Sequence, residues 1–188
     1  MKNSKSLESF FSKVFPYLIS IVKLNQSYSF YVKYQEIFLT LFLLKYNKQT
    51  QLSLLTTISC IDYPLKKHRF SVIYELLSLS LNMRFRIKTF VCETDSITSI
   101  SSLFSTSIWC EREIWDLFGV YFESNYEIKR LLTDYGFEGH TLRKDFPISG
   151  YVESRYSDEL KRVVCEPLEH SQEFRSFNFE TSWSNKIL

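Results

Sequence analysis

Hydrophobic positions change period several times along the chain, and each change predicts an element. Leu7, Phe10, Phe11, Val14, Phe15, Leu18, Ile21 and Val22 recur at helical spacing. That spacing predicts an amphipathic helix, kinked at Pro16. Residues 27–34 alternate instead, placing Tyr28, Phe30, Val32 and Tyr34 on one face of a strand. Ile37, Phe38, Leu41, Phe42 and Leu44 return to helical period. Three strands follow. Residues 52–62 alternate through Leu52, Leu54, Ile58 and Cys60, and residues 70–77 are apolar on both faces, as suits a central strand. Residues 84–91 place Phe85, Ile87 and Val91 on one face and Arg84, Arg86 and Lys88 on the other. The Ser/Thr-rich stretch 94–107 reads as a loop or a short helix.

Helix, strand, helix and then several strands in succession predict an α+β domain, with helices packed on one face of a sheet. Regular periodicity fades after Gly119. The chain therefore divides into a globular domain over residues 1–119 and a segment over 120–188. That segment has short helical hints and spaced aromatics (Phe174, Phe177, Phe179, Trp183) but no core of its own.

Composition narrows the function. The chain has 188 residues, of which 45% are hydrophobic, enough for one sizeable core. A net charge of +2 gives no general reason to expect nucleic acid. There are 17 Phe and 12 Tyr but four Gly, four Pro and no Ala. No packing rule forbids alanine, so the bias points to A/T-rich codons and hence to an organelle genome or an AT-rich microbe. Cys60, Cys92, Cys110 and Cys165 form no CxxC pair. Their spacing predicts buried, unpaired thiols in a reducing compartment rather than ligands for zinc or an iron–sulfur cluster. The apolar run over 14–24 is too short to cross a bilayer.

Three constellations could carry chemistry. In "WCEREIWDLFG", 109–119, Ile114, Leu117 and Phe118 share a helical face, and Gly119 offers a left-handed stop. Glu111 and Glu113 are expected in the first turn, and Arg112 is expected to pair with Asp116 four residues on. The cluster reads either as carboxylates for acid–base or metal chemistry or, with more support, as a capped, salt-bridged helix at an interface. The stretch "LLTDYGFEGHTLRKDFPISGY", 131–151, holds three of the four glycines with Asp134, Glu138, His140, Arg143, Lys144 and Asp145. It fits no phosphate-cradling glycine pattern and offers no activated nucleophile. Glu138 with His140 could serve a hydrolase or lyase, whereas turns presenting oriented charges to a partner account for more of the residues. Arg84, Arg86 and Lys88 form a basic strand face, which reads as a solvated or acid-covered surface more readily than as a phosphate site. His68 and His170 are solitary.

"CEREIWDLFGVYF" followed by "KRLLTDYGFEGHTLRKDFPISGYVESRY" resembles the thirty-kilodalton subunit family of respiratory complex I, NADH:ubiquinone oxidoreductase. The likeness extends through "DYPLKKHRFSVIYELLSLSLNMRFRIKTFV" upstream and "KRVVCEPLEHSQEFRSFNFE" downstream, covering roughly residues 50–180. Two positions depart from the family pattern, which has His-Pro where this chain reads Asn125-Tyr126 and again where it reads His140-Thr141.

The resemblance implies a mixed sheet and an extended C-terminal segment that docks on neighbours. It implies a structural subunit of the peripheral arm that holds the quinone-reducing module together while the whole complex moves electrons from NADH to ubiquinone. It implies no flavin, iron–sulfur cluster or quinone bound by this chain. The partners implied are the forty-nine-kilodalton quinone-site subunit and neighbouring iron–sulfur subunits, on the matrix side of the mitochondrial inner membrane. The expected contact residues are Glu111, Arg112, Glu113, Asp116, Arg130, Asp134, Tyr135, Glu138, His140, Arg143, Lys144 and Asp145. The first arginine is Arg69. The lack of an arginine-rich presequence, with the codon bias, is what a chain made inside the organelle would show.

Overall fold

The computed structural model describes residues 20–24, 27–169, 172–173 and 175–177. They fall into two compact units, with the chain dividing between Phe146 and Pro147.

The first unit is built on a five-stranded sheet of β1 (Ser20–Leu24), β2 (Ser27–Tyr31), β3 (Leu54–Asp62), β4 (Phe70–Ser78) and β5 (Met83–Val91), in the order β1-β2-β5-β4-β3. The sheet is mixed, because β2 runs parallel to β5 while the other neighbours are antiparallel. Cross-strand register stacks Phe30 opposite Ile87, Ile87 opposite Tyr74, and Tyr74 opposite Ile58. These side chains form one buried cluster with Ile37, Leu41 and Leu44 of helix α1 (Ile37–Tyr46) and Ile114 and Phe118 of helix α2 (Ser107–Phe118). Both helices thus feed one apolar face of the sheet, as the order of elements predicts. In α+β folds a half-apolar sheet face must be covered, and two helices can do it.

The opposite face carries the basic row. Arg86 bonds to Glu75, its register partner on β4, and Lys88 lies 5.6 Å from the Tyr31 ring centre. Acidic and aromatic neighbours therefore engage Arg86 and Lys88, while Arg84 is exposed.

Three expectations change. The helix drawn through Ile21 and Val22 gives way to β1, paired with β2; the remainder of that helix lies outside the described residues. Leu54 does not share a face with Ile58, because a bulge between Leu55 and Thr57 shifts the phase. Leu55 is buried in its place and Leu54 is exposed. None of the four cysteines is fully buried, and Cys165 is exposed. Two short strands were also silent in the pattern: β6 (Ser96–Thr98) and β7 (Tyr121–Glu123) pair in parallel on either side of α2 in the sequence. Three residues are too few to show an alternation.

The second unit is a hairpin of β8 (Val152–Ser157) and β9 (Arg162–Pro167). Arg155 grips Glu166 across the strands, with Nε donating to Oε2 (3.2 Å) and Nη2 to Oε1 (3.0 Å). Its strands are largely exposed on both faces, so among the described residues they enclose no core and carry no periodic signal.

Candidate functional site

Helix α2 carries two carboxylates with no measurable exposure, Glu111 and Asp116. The helix begins at Ser107, so neither Glu111 nor Glu113 lies in its first turn. Glu111 reaches inward instead and accepts hydrogen bonds from Ser99 Oγ (2.6 Å), the Ile100 amide (2.9 Å) and Asn125 Nδ2 (2.9 Å). It ties the loop after β6 and the turn after β7 to the helix. Burial pushes its carboxyl above the usual range, with these bonds opposing.

Asp116 works differently. Its Oδ2 accepts three consecutive backbone amides, Leu131 (3.0 Å), Leu132 (2.7 Å) and Thr133 (3.0 Å). Its Oδ1 accepts the Thr133 hydroxyl (2.5 Å) and Arg130 Nη1 (2.9 Å). Such a nest of amides is an anion cradle, here filled by a side chain of the same molecule. Burial pushes this carboxyl up, but the Thr133 hydroxyl and the three amides outweigh it and hold the group well below the usual range. The expected Arg112–Asp116 pair is absent. Asp116 is turned under the 130–133 loop, while Arg112 donates to the carbonyl of Lys129 (3.2 Å).

The rest of the glycine-rich stretch is fastened in the same way. Arg130 also donates to the Gly139 carbonyl (3.2 Å), and its guanidinium lies 5.7 Å from the Trp115 ring. His140 donates from Nδ1 to the Asp116 carbonyl (2.9 Å). The carbonyl can only accept, which assigns the proton to Nδ1. The Leu142 amide bonds to the Leu117 carbonyl (3.0 Å), and Arg143 Nε to that of Phe118 (2.6 Å). These contacts use the orphan carbonyls at the C-terminus of α2.

Gly119 makes the close approach possible. It stops α2 at φ +79, and a Cβ there would stand 2.5 Å from Arg143 Nη2 and 2.6 Å from His140 Nε2.

A second knot joins the stretch to the sheet. Asp62, at the end of β3, receives Arg69 Nε (2.7 Å) and Nη2 (2.9 Å) in a forked pair and the Lys144 amide (2.8 Å). Arg69 Nη2 also reaches Asp145 (2.9 Å), and Arg143 pairs with Glu93. The Arg69 and Arg143 guanidinium carbons each lie 5.3 Å from the Phe70 ring centre. Hydrogen bonding and charge from Arg69 hold Asp62 below the usual carboxylate range.

The structure thus gathers Asp116, Arg130, His140, Arg143 and Asp145, with the Lys144 backbone, into a clamp that holds residues 128–146 against α2 and the sheet. Glu113, Asp134, Tyr135 and Glu138 remain at the surface, and so does the Lys144 side chain. Among these exposed polar groups the clamp also displays apolar side chains: Leu132, Tyr135 and Leu142 are exposed, Tyr135 completely. Sequence reasoning missed Asp62, Arg69, Glu93, Asn125 and Thr133. The one available signal was an aspartate closing an apolar strand with an arginine opening the next. Nothing in the structure supports Glu138 and His140 as acid–base machinery: His140 Nδ1 is bonded to a backbone carbonyl and the glutamate faces outward.

A model of the family described as "Respiratory-chain NADH dehydrogenase, 30 Kd subunit" matches residues 30–152, a span that includes β3, β4 and β5 of the sheet, both helices and the clamp. The chain belongs to that family. It is a subunit of respiratory-chain NADH dehydrogenase, complex I. The chain is 48% identical over 172 residues to "NADH-ubiquinone oxidoreductase subunit 9" of Reclinomonas americana, covering 91% of this chain and 84% of that one. It is 50% identical over 157 residues to "NADH dehydrogenase [ubiquinone] iron-sulfur protein 3" of Oryza sativa subsp. japonica, covering 84% and 83%. Among solved structures, a chain from "the membrane-bound sulfane sulfur reductase (MBS), an archaeal respiratory membrane complex" superposes with a TM-score of 0.66. That chain is 24% identical over 79% of this chain and 87% of its own length, a likeness that shows the fold alone.

Within the complex I family, the two departures from the His-Pro pattern have distinct settings. Asn125 is bonded to the buried Glu111, whereas Thr141 follows a histidine anchored on Asp116.

Proposed function

We propose that this chain acts in complex I as a structural subunit of the peripheral arm, on the matrix side of the mitochondrial inner membrane. It holds the quinone-reducing module together by contact with the forty-nine-kilodalton quinone-site subunit and neighbouring iron–sulfur subunits. Electrons pass through those partners, and this chain binds no flavin, cluster or quinone itself. The family match over residues 30–152 carries the reading. Two features support it: Arg130, Arg143 and Asp145 are spent on fixing the 128–146 stretch in place, and its exposed side chains mix the apolar and charged groups of a contact surface. No helix among the described residues is long and apolar enough to cross a membrane.

The contact role follows from that division of labour. Asp116, Arg130, Arg143 and Asp145 shape the loop, and Leu132, Tyr135 and Leu142 at its surface meet the partner. A combined Leu132→Ser and Tyr135→Ser substitution tests this. The expected result is less assembled complex with normal NADH:ubiquinone turnover per assembled copy. Normal assembly with collapsed turnover would overturn it and assign these residues to catalysis.

A further inference from the structure

Outside the clamp, the loop between β3 and β4 meets the turn after β5. Among the described residues this is where His, Cys and carboxylate side chains come close enough to share one ion: His68, Cys92 and Asp95 offer ligand atoms all within 4.8 Å of one another. The histidine, solitary in the sequence, is brought to Cys92 by the pairing of β4 with β5, which sets Phe70 opposite Val91.

The geometry points to a binding site for a borderline divalent cation of the zinc class, with Cys92 Sγ, His68 Nδ1 and Asp95 as ligands and one position left for water. Three observations support this, none of which rests on the complex I reading. Cys92 and Asp95 stand at the two ends of a tight turn, closed by the Asp95 amide on the Cys92 carbonyl (3.3 Å). This is the two-residue spacing by which paired ligands in zinc sites face the same ion.

The thiol also has three polar partners around it. Sγ lies 3.1 Å from His68 Nδ1 and 3.5 Å from the Lys67 carbonyl, with the Asp95 carboxylate a further partner. A thiol has one proton, whereas a dication on the thiolate engages the imidazole and the carboxylate together.

Finally, the backbone on both sides is already fixed. Arg69, next to His68, is held by Asp62 and Asp145, and Glu93, next to Cys92, is held by Arg143. Immobile neighbours lower the ordering cost of bringing three ligands to one ion. One sulfur, one imidazole nitrogen and one carboxylate oxygen suit zinc or cobalt better than magnesium or calcium, which prefer oxygen alone. Lys67 is the nearby opposing charge.

The test uses the full-length chain, stripped of metal under reducing conditions and titrated with Co2+, then with Zn2+. The expected result is a thiolate-to-cobalt charge-transfer band with tetrahedral visible bands, saturating at one ion per chain and bleached by zinc. Cys92→Ser should abolish the charge-transfer band. His68→Gln should weaken cobalt binding by at least about tenfold. Cys165→Ser, at the exposed thiol of the second unit, should leave the spectrum unchanged. Far-ultraviolet circular dichroism identical to the parent protein shows that each variant is folded. Absence of the band in the parent protein, its persistence in folded Cys92→Ser, or its loss in Cys165→Ser would each overturn the site.

Discussion

Glu111 and Asp116 sit five residues apart on one helix, both fully buried, and their acidities are displaced in opposite directions. Burial dominates at Glu111, where the partners are two neutral side chains and one amide. At Asp116 a hydroxyl and three amides overcome it. Each carboxylate holds a different loop to the helix, so the two can be separated by substitution and by pH.

For Asp116 the folded-state acidity lies below that of the unfolded chain. Its stabilisation is therefore fully present above the ordinary carboxylate range, and it is lost as pH falls below about 4. Asp116→Asn turns an amide group toward the loop amides and leaves Arg130 without its carboxylate partner. The expected cost is about 3 kcal/mol at pH 7, shrinking as the pH is lowered. Denaturant midpoints of both proteins across pH 3–7 check it.

For Glu111 the sign reverses. The folded group holds its proton to higher pH than the unfolded chain, so its contribution is greatest below about pH 4.3 and declines as pH rises through the folded value. Glu111→Gln keeps an acceptor for the Ile100 amide and removes the buried charge. Relative to the parent protein, this variant should gain stability as pH rises over the range in which Asp116→Asn loses it. Parallel pH slopes for the two variants would contradict the assignment.

Gly119→Ala places a Cβ on Arg143 and His140 and strains a left-handed residue. The expected loss is about 1–2 kcal/mol, measured by thermal unfolding. The damage should extend to residues 140–143, seen as faster amide exchange at Leu142, whose amide bonds to the helix end.

Arg69 carries the second knot. Arg69→Met leaves Asp62 buried without its forked partner and should cost about 3 kcal/mol. Asp145→Ala removes only the outer, exposed arm of the same network and should cost less than about 0.5 kcal/mol. Chemical denaturation of the two variants distinguishes a buried pair from a surface one.

Much of the fold could be read from periodicity, because β4, β5 and α1 each bury a regular set of side chains. The bulge in β3 could not, since one extra residue shifts the phase without any change in composition. β6 and β7 are too short to alternate, and the hairpin of the second unit has no buried face to pattern. In the clamp, the types of charged residue were visible but not their direction. Asp116 lies four residues after Arg112, and local spacing favours that pair. The fold instead supplies Arg130 and three amides from a loop that only tertiary structure brings near. His68 and Cys92 were likewise unrelated until β4 and β5 paired.

The central claim is that this chain works as a fixed contact subunit of complex I rather than alone. Mass spectrometry of the native assembly purified through this chain in mild detergent tests it most directly. The account predicts co-purification with the flavoprotein, iron–sulfur and quinone-site subunits of NADH:ubiquinone oxidoreductase, one copy of this chain per assembly. Recovery of the chain alone, or with partners that include none of these, would contradict it.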